Sequence, residues 1–174
     1  VSTGIEASLT GPLVFSTLHT NSAPETITRL LDMGMDSFNF ADALLGVLAQ
    51  RLVRTLCKDC KQAYHPSRDE FDALVRAYAG DFDALGLQYN SDLTLYKHKG
   101  CPKCANSGYR GRTAIHEIIV GTEPLKSLIQ GRAKMEEIRE QTIKDGMTTL
   151  MQDGIRKTLL GMTDILQVRK VCIK

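Results

Sequence analysis

Two Cys-x-x-Cys pairs, Cys57-Lys58-Asp59-Cys60 and Cys101-Pro102-Lys103-Cys104, constrain this chain more than any other feature. A gap of two residues lets both sulfurs of a turn converge at ~2.3 Å on one Zn²⁺, with the turn's backbone N–H groups aimed at the thiolates. Lys58 and Lys103 offset part of the surplus negative charge of an ion held by four thiolates. Residues 61 to 100, 40 in all, separate the pairs. A simple zinc ribbon has ~15–20 there, so the site is expected to cross-link the base of an inserted subdomain. Redox use fits less well, because neither pair opens a helix after a strand. Four unrelated core thiols fit less well too, given the matched spacing. Four thiolates leave no open coordination position, which favours a structural ion over a catalytic one. His65 and His98 flank the quartet and read as surface or subdomain residues rather than spare ligands, and His116 as an ordinary strand residue.

Composition sets the frame around that site. The chain has 174 residues, 43% of them hydrophobic and 24% charged, as in an ordinary globular domain and unlike a disordered one. No apolar run approaches the ~18 residues of a membrane-spanning helix. A net charge of +2 is too small to imply a nucleic-acid or membrane surface. There is no signal-peptide pattern, and the chain opens on Val1, so it is expected to be a fragment. Paired thiols without a secretory signal point to a reducing cytosol, with a lone fifth cysteine at Cys172.

The texture changes along the chain. Leu13 to Leu18, after Gly11-Pro12, reads as a strand buried on both faces. Ser22-Ala23-Pro24-Glu25 opens a helix that carries Ile27, Leu30 and Leu31 on one face and stops at Gly34. A second helix is expected from Ser37 through Leu48, then a short strand over Leu52–Leu56 leading into Cys57. Ser67-Arg68-Asp69-Glu70 caps a helix over 67–79, and Leu93–His98 and Thr113–Val120 alternate as strands. From Thr122 onward the pattern is helical, with Met135, Ile138 and Thr142 on one face and Leu150, Met151, Ile155, Thr158 and Leu159 on another. Gly161 ends that second helix and Thr163 is expected to cap a last short one. The division expected is 1–56 as a partial α/β core, 57–112 as a zinc-binding subdomain, and 113–174 as a return strand with a small helical bundle.

A second polar cluster, Ser16-Thr17-Leu18-His19-Thr20-Asn21, stands between the expected strand and a capped helix. Ligands in open α/β sheets sit at such strand ends beside helix N-termini. The cluster serves equally well to satisfy the strand end and the cap. No G-x-x-x-x-G-K-[ST] loop and no strand ending in paired carboxylates is present, so the chain alone is not expected to hydrolyse a nucleotide.

Leu13–Asn21 running into Arg29-Leu30-Leu31-Asp32-Met33-Gly34 resembles the histidine box of the secretion ATPases that power type II secretion and type IV pilus assembly. Leu48-Ala49-Gln50-Arg51-Leu52-Val53-Arg54 into Cys57 is similar to the family's next segment. The tetracysteine pair, Gly108-Tyr109-Arg110-Gly111-Arg112 and Asp145-Gly146-Met147 to Gly161 extend the likeness over nearly the whole chain. The family carries a histidine where this chain has Pro12, which leaves His19 as the single histidine of the box.

The resemblance implies an α/β fold: the C-terminal half of a RecA-like P-loop ATPase core, with an inserted tetracysteine zinc subdomain and a small C-terminal helical bundle. It also implies a hexameric cytoplasmic motor, peripheral to the inner membrane, that binds ATP and Mg²⁺ between full-length subunits. Its partners would be an inner-membrane platform protein and cytoplasmic docking components, not nucleic acid. His19 would sense the nucleotide with Thr17 and Asn21 beside it, while Cys57, Cys60, Cys101 and Cys104 hold Zn²⁺. Arg51 and Arg54 would face nucleotide or a neighbouring subunit, or simply solvent. The competing reading is a zinc-ribbon-like nucleic-acid-binding or protein-docking module, motivated by Lys97, Lys99, Lys103, Arg110 and Arg112 near the cysteines.

Overall fold

The computed structural model describes residues 2–172 and is mixed α/β. Its elements in chain order begin with α1 (Ser2–Leu9), α2 (Ala23–Asp32), α3 (Ser37–Ala43), β1 (Gly46–Leu56), β2 (Gln62–Tyr64) and α4 (Arg68–Tyr78). They continue with β3 (Leu95–Lys97), β4 (Tyr109–Val120), α5 (Glu123–Gln130), α6 (Met135–Lys144), α7 (Leu150–Leu159) and α8 (Ile165–Val171). Two two-stranded sheets pair β1 with β4 and β2 with β3. The chain forms two compact units, one from residues 1–49 and 117–148, the other from 50–116 and 149–174. None of the helices is long and apolar enough to cross a membrane among the described residues.

The first unit is built around the apolar faces of short, well-capped helices. Ser22 Oγ accepts the Glu25 N–H at 3.3 Å and starts α2, while Thr122 Oγ1 accepts the Leu125 N–H at 3.4 Å and starts α5. The helices bury Ile27 and Leu31 from α2, Phe40 from α3, Leu125 and Ile129 from α5 and Ile138 from α6 in one cluster with Ile119 of β4. Glu117 is 5% exposed, and its carboxylate accepts the Ala23 N–H at 2.8 Å, which satisfies a helix-start donor inside the unit.

The second unit holds the cysteines. Ser67 and Glu70 form a reciprocal capping box that opens α4, which buries Phe71, Leu74 and Tyr78 against Phe82, Leu93, Leu95 and Ile155. β2 and β3 pair antiparallel with Gln62 opposite Lys97 and Tyr64 opposite Leu95. At the cysteine end of the long ladder, the Cys57 N–H donates to Gly108 C=O at 2.9 Å. Asp153 of α7 accepts from the His116 N–H at 2.8 Å and from Lys157 Nζ at 2.6 Å, and Lys157 also donates to Ala114 C=O at 2.7 Å. That knot ties α7 to β4.

Several local expectations need correction. Residues 12–20 form no strand, and Leu13 and Phe15 are 65% and 88% exposed. A strand buried on both faces needs ladder partners for its backbone and layers over its two faces, and the only strands among the described residues pair with each other. The helix expected from Ser37 to Leu48 stops at Ala43, and β1 begins at Gly46 rather than Leu52. Leu44, Leu45 and Leu48 fit either period in so short an apolar run. Thr163 does not cap α8: its hydroxyl donates to Arg54 C=O at 2.8 Å, and Asp164 accepts the Gln167 N–H at 3.0 Å in its place.

The α7–α8 crossing rests on Gly154. A Cβ there would sit 2.3 Å from Val168 Cγ1, and Val168 is fully buried. Gly154→Ala gains roughly 0.5–1 kcal/mol of helix propensity but forces overpacking that costs roughly 1–3 kcal/mol. Net destabilisation in denaturant melts is therefore expected, relieved in part by a second change, Val168→Ala.

Candidate metal centre

The first cysteine pair leaves the end of β1 in a tight turn, with the Cys60 and Lys61 N–H groups donating to Cys57 C=O at 3.2 and 2.9 Å. The second pair brackets a single 3-10 turn, Pro102–Cys104, in which Pro102 fixes the first position and the Cys104 N–H returns to Cys101 C=O at 3.1 Å. Ala105 and Asn106 then take left-handed backbone conformations that fold the chain back under the sulfurs. Gly108 completes this reversal at φ +76°, where an added Cβ would lie 2.6 Å from His98 Cβ, so no side chain fits.

These turns bring the four Sγ atoms within 4.8 Å of one another. Cys57 and Cys101 lie 3.9 Å apart, Cys60 and Cys104 3.8 Å, and Cys101 and Cys104 3.7 Å. A tetrahedron with ~2.3 Å metal–sulfur bonds has edges of ~3.8 Å. The donor set and its spacing therefore suit one tetrahedral thiophilic ion, and the four cysteines are positioned to hold it. The N–H groups of Cys101 and Gly108 point at Cys104 Sγ from 3.2 Å each, and that of Gly100 at Cys60 Sγ from 3.4 Å. Such donors favour the ionised sulfur.

The thiols differ accordingly. Burial raises the Cys104 pKa, but the Cys101 and Gly108 N–H groups and the neighbouring thiols outweigh it and bring it down to about 6. At Cys60 burial dominates, the single N–H of Gly100 does not offset it, and the pKa rises to about 11. Outside the sulfurs, Lys103 Nζ meets Asp59 Oδ1 at 2.6 Å and joins the two turns across the site. That hydrogen bond holds the Asp59 carboxyl below its usual range and lifts Lys103. Lys103 was legible as a compensating charge; its pairing with Asp59, 44 positions away, had no local signal.

The histidines are engaged elsewhere. His65 Nδ1 lies 2.9 Å from Leu93 C=O. His98 Nδ1 lies 2.8 Å from the Tyr109 hydroxyl and 3.2 Å from Asp164 Oδ2, and its ring stacks on Tyr109. Tyr109 donates to Asp164 at 2.5 Å, and burial together with that carboxylate raises the phenol to about 12. No sequence pattern pointed to this triad. His19, Thr17 and Asn21 all lie exposed in or just after the irregular segment before α2. The Asn21 backbone N–H donates to Glu25 Oε2 at 2.9 Å, so the helix start is served by its own acid.

With this geometry in view, comparison with known proteins is decisive for the class. Residues 1–170 match the family described as Type II/IV secretion system protein, and the chain belongs to that family. It is similar to the Type II secretion system ATPase E of Vibrio cholerae, 43% identical over 167 residues that cover 96% of this chain and 31% of that relative. The Type II secretion system protein E of Pseudomonas aeruginosa is 42% identical over the same coverage. The Type IV pilus assembly ATPase PilB of Thermus thermophilus is 42% identical over 163 residues, 94% of this chain and 17% of the relative. The chain thus spans a third or less of the length of these curated relatives.

Thiolates, not thiols, bind the metal, so protons compete with it. Lowering the pH through the range set by Cys104, and against the high pKa of Cys60, is expected to weaken metal retention progressively. Chelator competition at several pH values checks this, and affinity should rise with pH.

Proposed function

We propose that this chain is the C-terminal portion of a hexameric cytoplasmic motor ATPase that powers type II secretion or type IV pilus assembly. In this reading it supplies part of a RecA-like core, a zinc subdomain over residues 57–112 and a C-terminal helical subdomain over 113–174. The observation that carries the reading is a tetrathiol cluster of metal-binding geometry inside a chain that matches relatives named as secretion and pilus ATPases.

Cys57, Cys60, Cys101 and Cys104 hold Zn²⁺ as a structural cross-link. All four donors are thiolates, which fill a tetrahedral shell, so no position is left for a substrate. The ion supplies folding energy and no reaction step. Lys103 and Asp59 keep the two turns in register around it.

His19 takes the role of nucleotide sensor, with Thr17 and Asn21 beside it. Its support is chemical: an exposed imidazole, hydroxyl and amide close in sequence, in a segment that carries no core packing of its own at Leu13 or Phe15. The phosphate-binding loop and acidic Mg²⁺ site would be contributed by other parts of the polypeptide, so this portion alone does not hydrolyse ATP. Self-association into a hexamer, an inner-membrane platform protein and cytoplasmic docking components complete the proposed assembly.

In the protein that carries the phosphate-binding loop, His19→Ala is expected to lower Mg²⁺-dependent ATP hydrolysis by ~10²-fold, the scale of losing one well-placed transition-state donor. Metal content per chain should not change. Undiminished hydrolysis in that variant would contradict the role of His19.

A further inference from the structure

An open cavity of about 510 Å³ in the second unit has Arg54, His98, Tyr109, Leu166, Arg169 and Lys170 among its lining residues. The cations come from two elements far apart in sequence: Arg54 from β1, Arg169 and Lys170 from the last turn of α8. Among the described residues, no carboxylate lies within ion-pair distance of any of the three, so their charges meet at the cavity without a neutralising partner. Asp164, beside Tyr109, is 5% exposed and already accepts from Tyr109 and from the Gln167 N–H. The C-terminal end of α8 offers only about half a negative charge, far short of three cations.

Gathering three like charges around one cavity costs energy in the free protein, and an arriving anion removes that cost. The cavity also has an apolar side. The Tyr109 ring faces the Arg54 guanidinium, 4.9 Å from its centroid, and Leu166 is 52% exposed one helical turn before Arg169 and Lys170. A bare ion would leave the exposed Leu166 side chain in water.

We infer that this cavity is a binding site for a phosphate ester, with its phosphate on Arg54, Arg169 and Lys170 and its organic part against Tyr109 and Leu166. Arginine forks match the paired oxygens of a phosphate, and lysine adds a point charge. The inference is independent of the role proposed for His19.

Calorimetric titration of the metal-loaded chain with pyrophosphate, and co-sedimentation with vesicles of phosphatidylcholine mixed with phosphatidylglycerol, test this site. Saturable pyrophosphate binding is expected, weakened about tenfold by Arg54→Gln or Arg169→Gln, the worth of one charge-assisted hydrogen bond. Lys144→Gln, the same charge change in the other unit, should leave it unaltered. Vesicle binding that pyrophosphate displaces and Arg169→Gln abolishes identifies a lipid headgroup as the ligand. Pyrophosphate binding without vesicle binding places the phosphate on a soluble ligand and excludes a lipid headgroup. No saturable binding to either probe, or equal weakening by Lys144→Gln, overturns the site.

Discussion

Four sulfurs drawn from the two ends of a 40-residue excursion meet within 4.8 Å, and the second unit is organised around that meeting. The β1–β4 ladder ends at the same point, where the Cys57 N–H donates to Gly108 C=O, so sulfurs and ladder together close the base of the excursion. Its own sheet is a ladder of three residue pairs, and a two-stranded ribbon of that size is marginal in water. Bringing its ends together costs ~3 kcal/mol of chain entropy before any contact is made. α4 and its aromatic neighbours contribute a genuine apolar cluster, with Phe71, Tyr78 and Phe82 in edge-on contacts. That cluster orders the interior of the excursion; the cysteine turns and the end of the β1–β4 ladder fix where its two ends lie.

The base of the excursion shows how backbone chemistry serves that purpose. Left-handed residues at Ala105, Asn106 and Gly108 turn the chain so that N–H groups aim at Cys104, and a side chain at Gly108 would strike His98. The same reversal delivers Tyr109 to the start of β4, where it reaches Asp164 and His98. The metal centre and the cationic cavity are thus neighbours by construction, since residues 98 to 109 contribute to both.

Much of this was legible in the sequence where the signal is local. Thiol spacing, the Ser67–Glu70 capping box and the Ser22–Glu25 helix start each depend on residues within one turn, and each forms as read. The failures share a cause as well. The run from Leu13 is apolar enough for a strand, but a strand is a property of its neighbours, and none among the described residues pairs with it. Leu44 to Leu48 satisfied a helical period, yet Leu48 belongs to β1 and faces solvent. Pairings such as Lys103 with Asp59, Asp164 with Tyr109 and Asp153 with the His116 N–H link positions 37 to 55 apart, and no window of sequence contains them. For the same reason the roles proposed for His19, Thr17 and Asn21 rest on their chemistry and on family membership.

X-ray absorption at the metal edge of the purified chain, with metal quantified per chain, is the most direct test of the tetrathiolate centre. One zinc per chain in a shell of four sulfurs at ~2.3 Å is the expected result. A metal-free chain that keeps its native melting profile, or a bound ion whose shell contains nitrogen or oxygen in place of a sulfur, would contradict it.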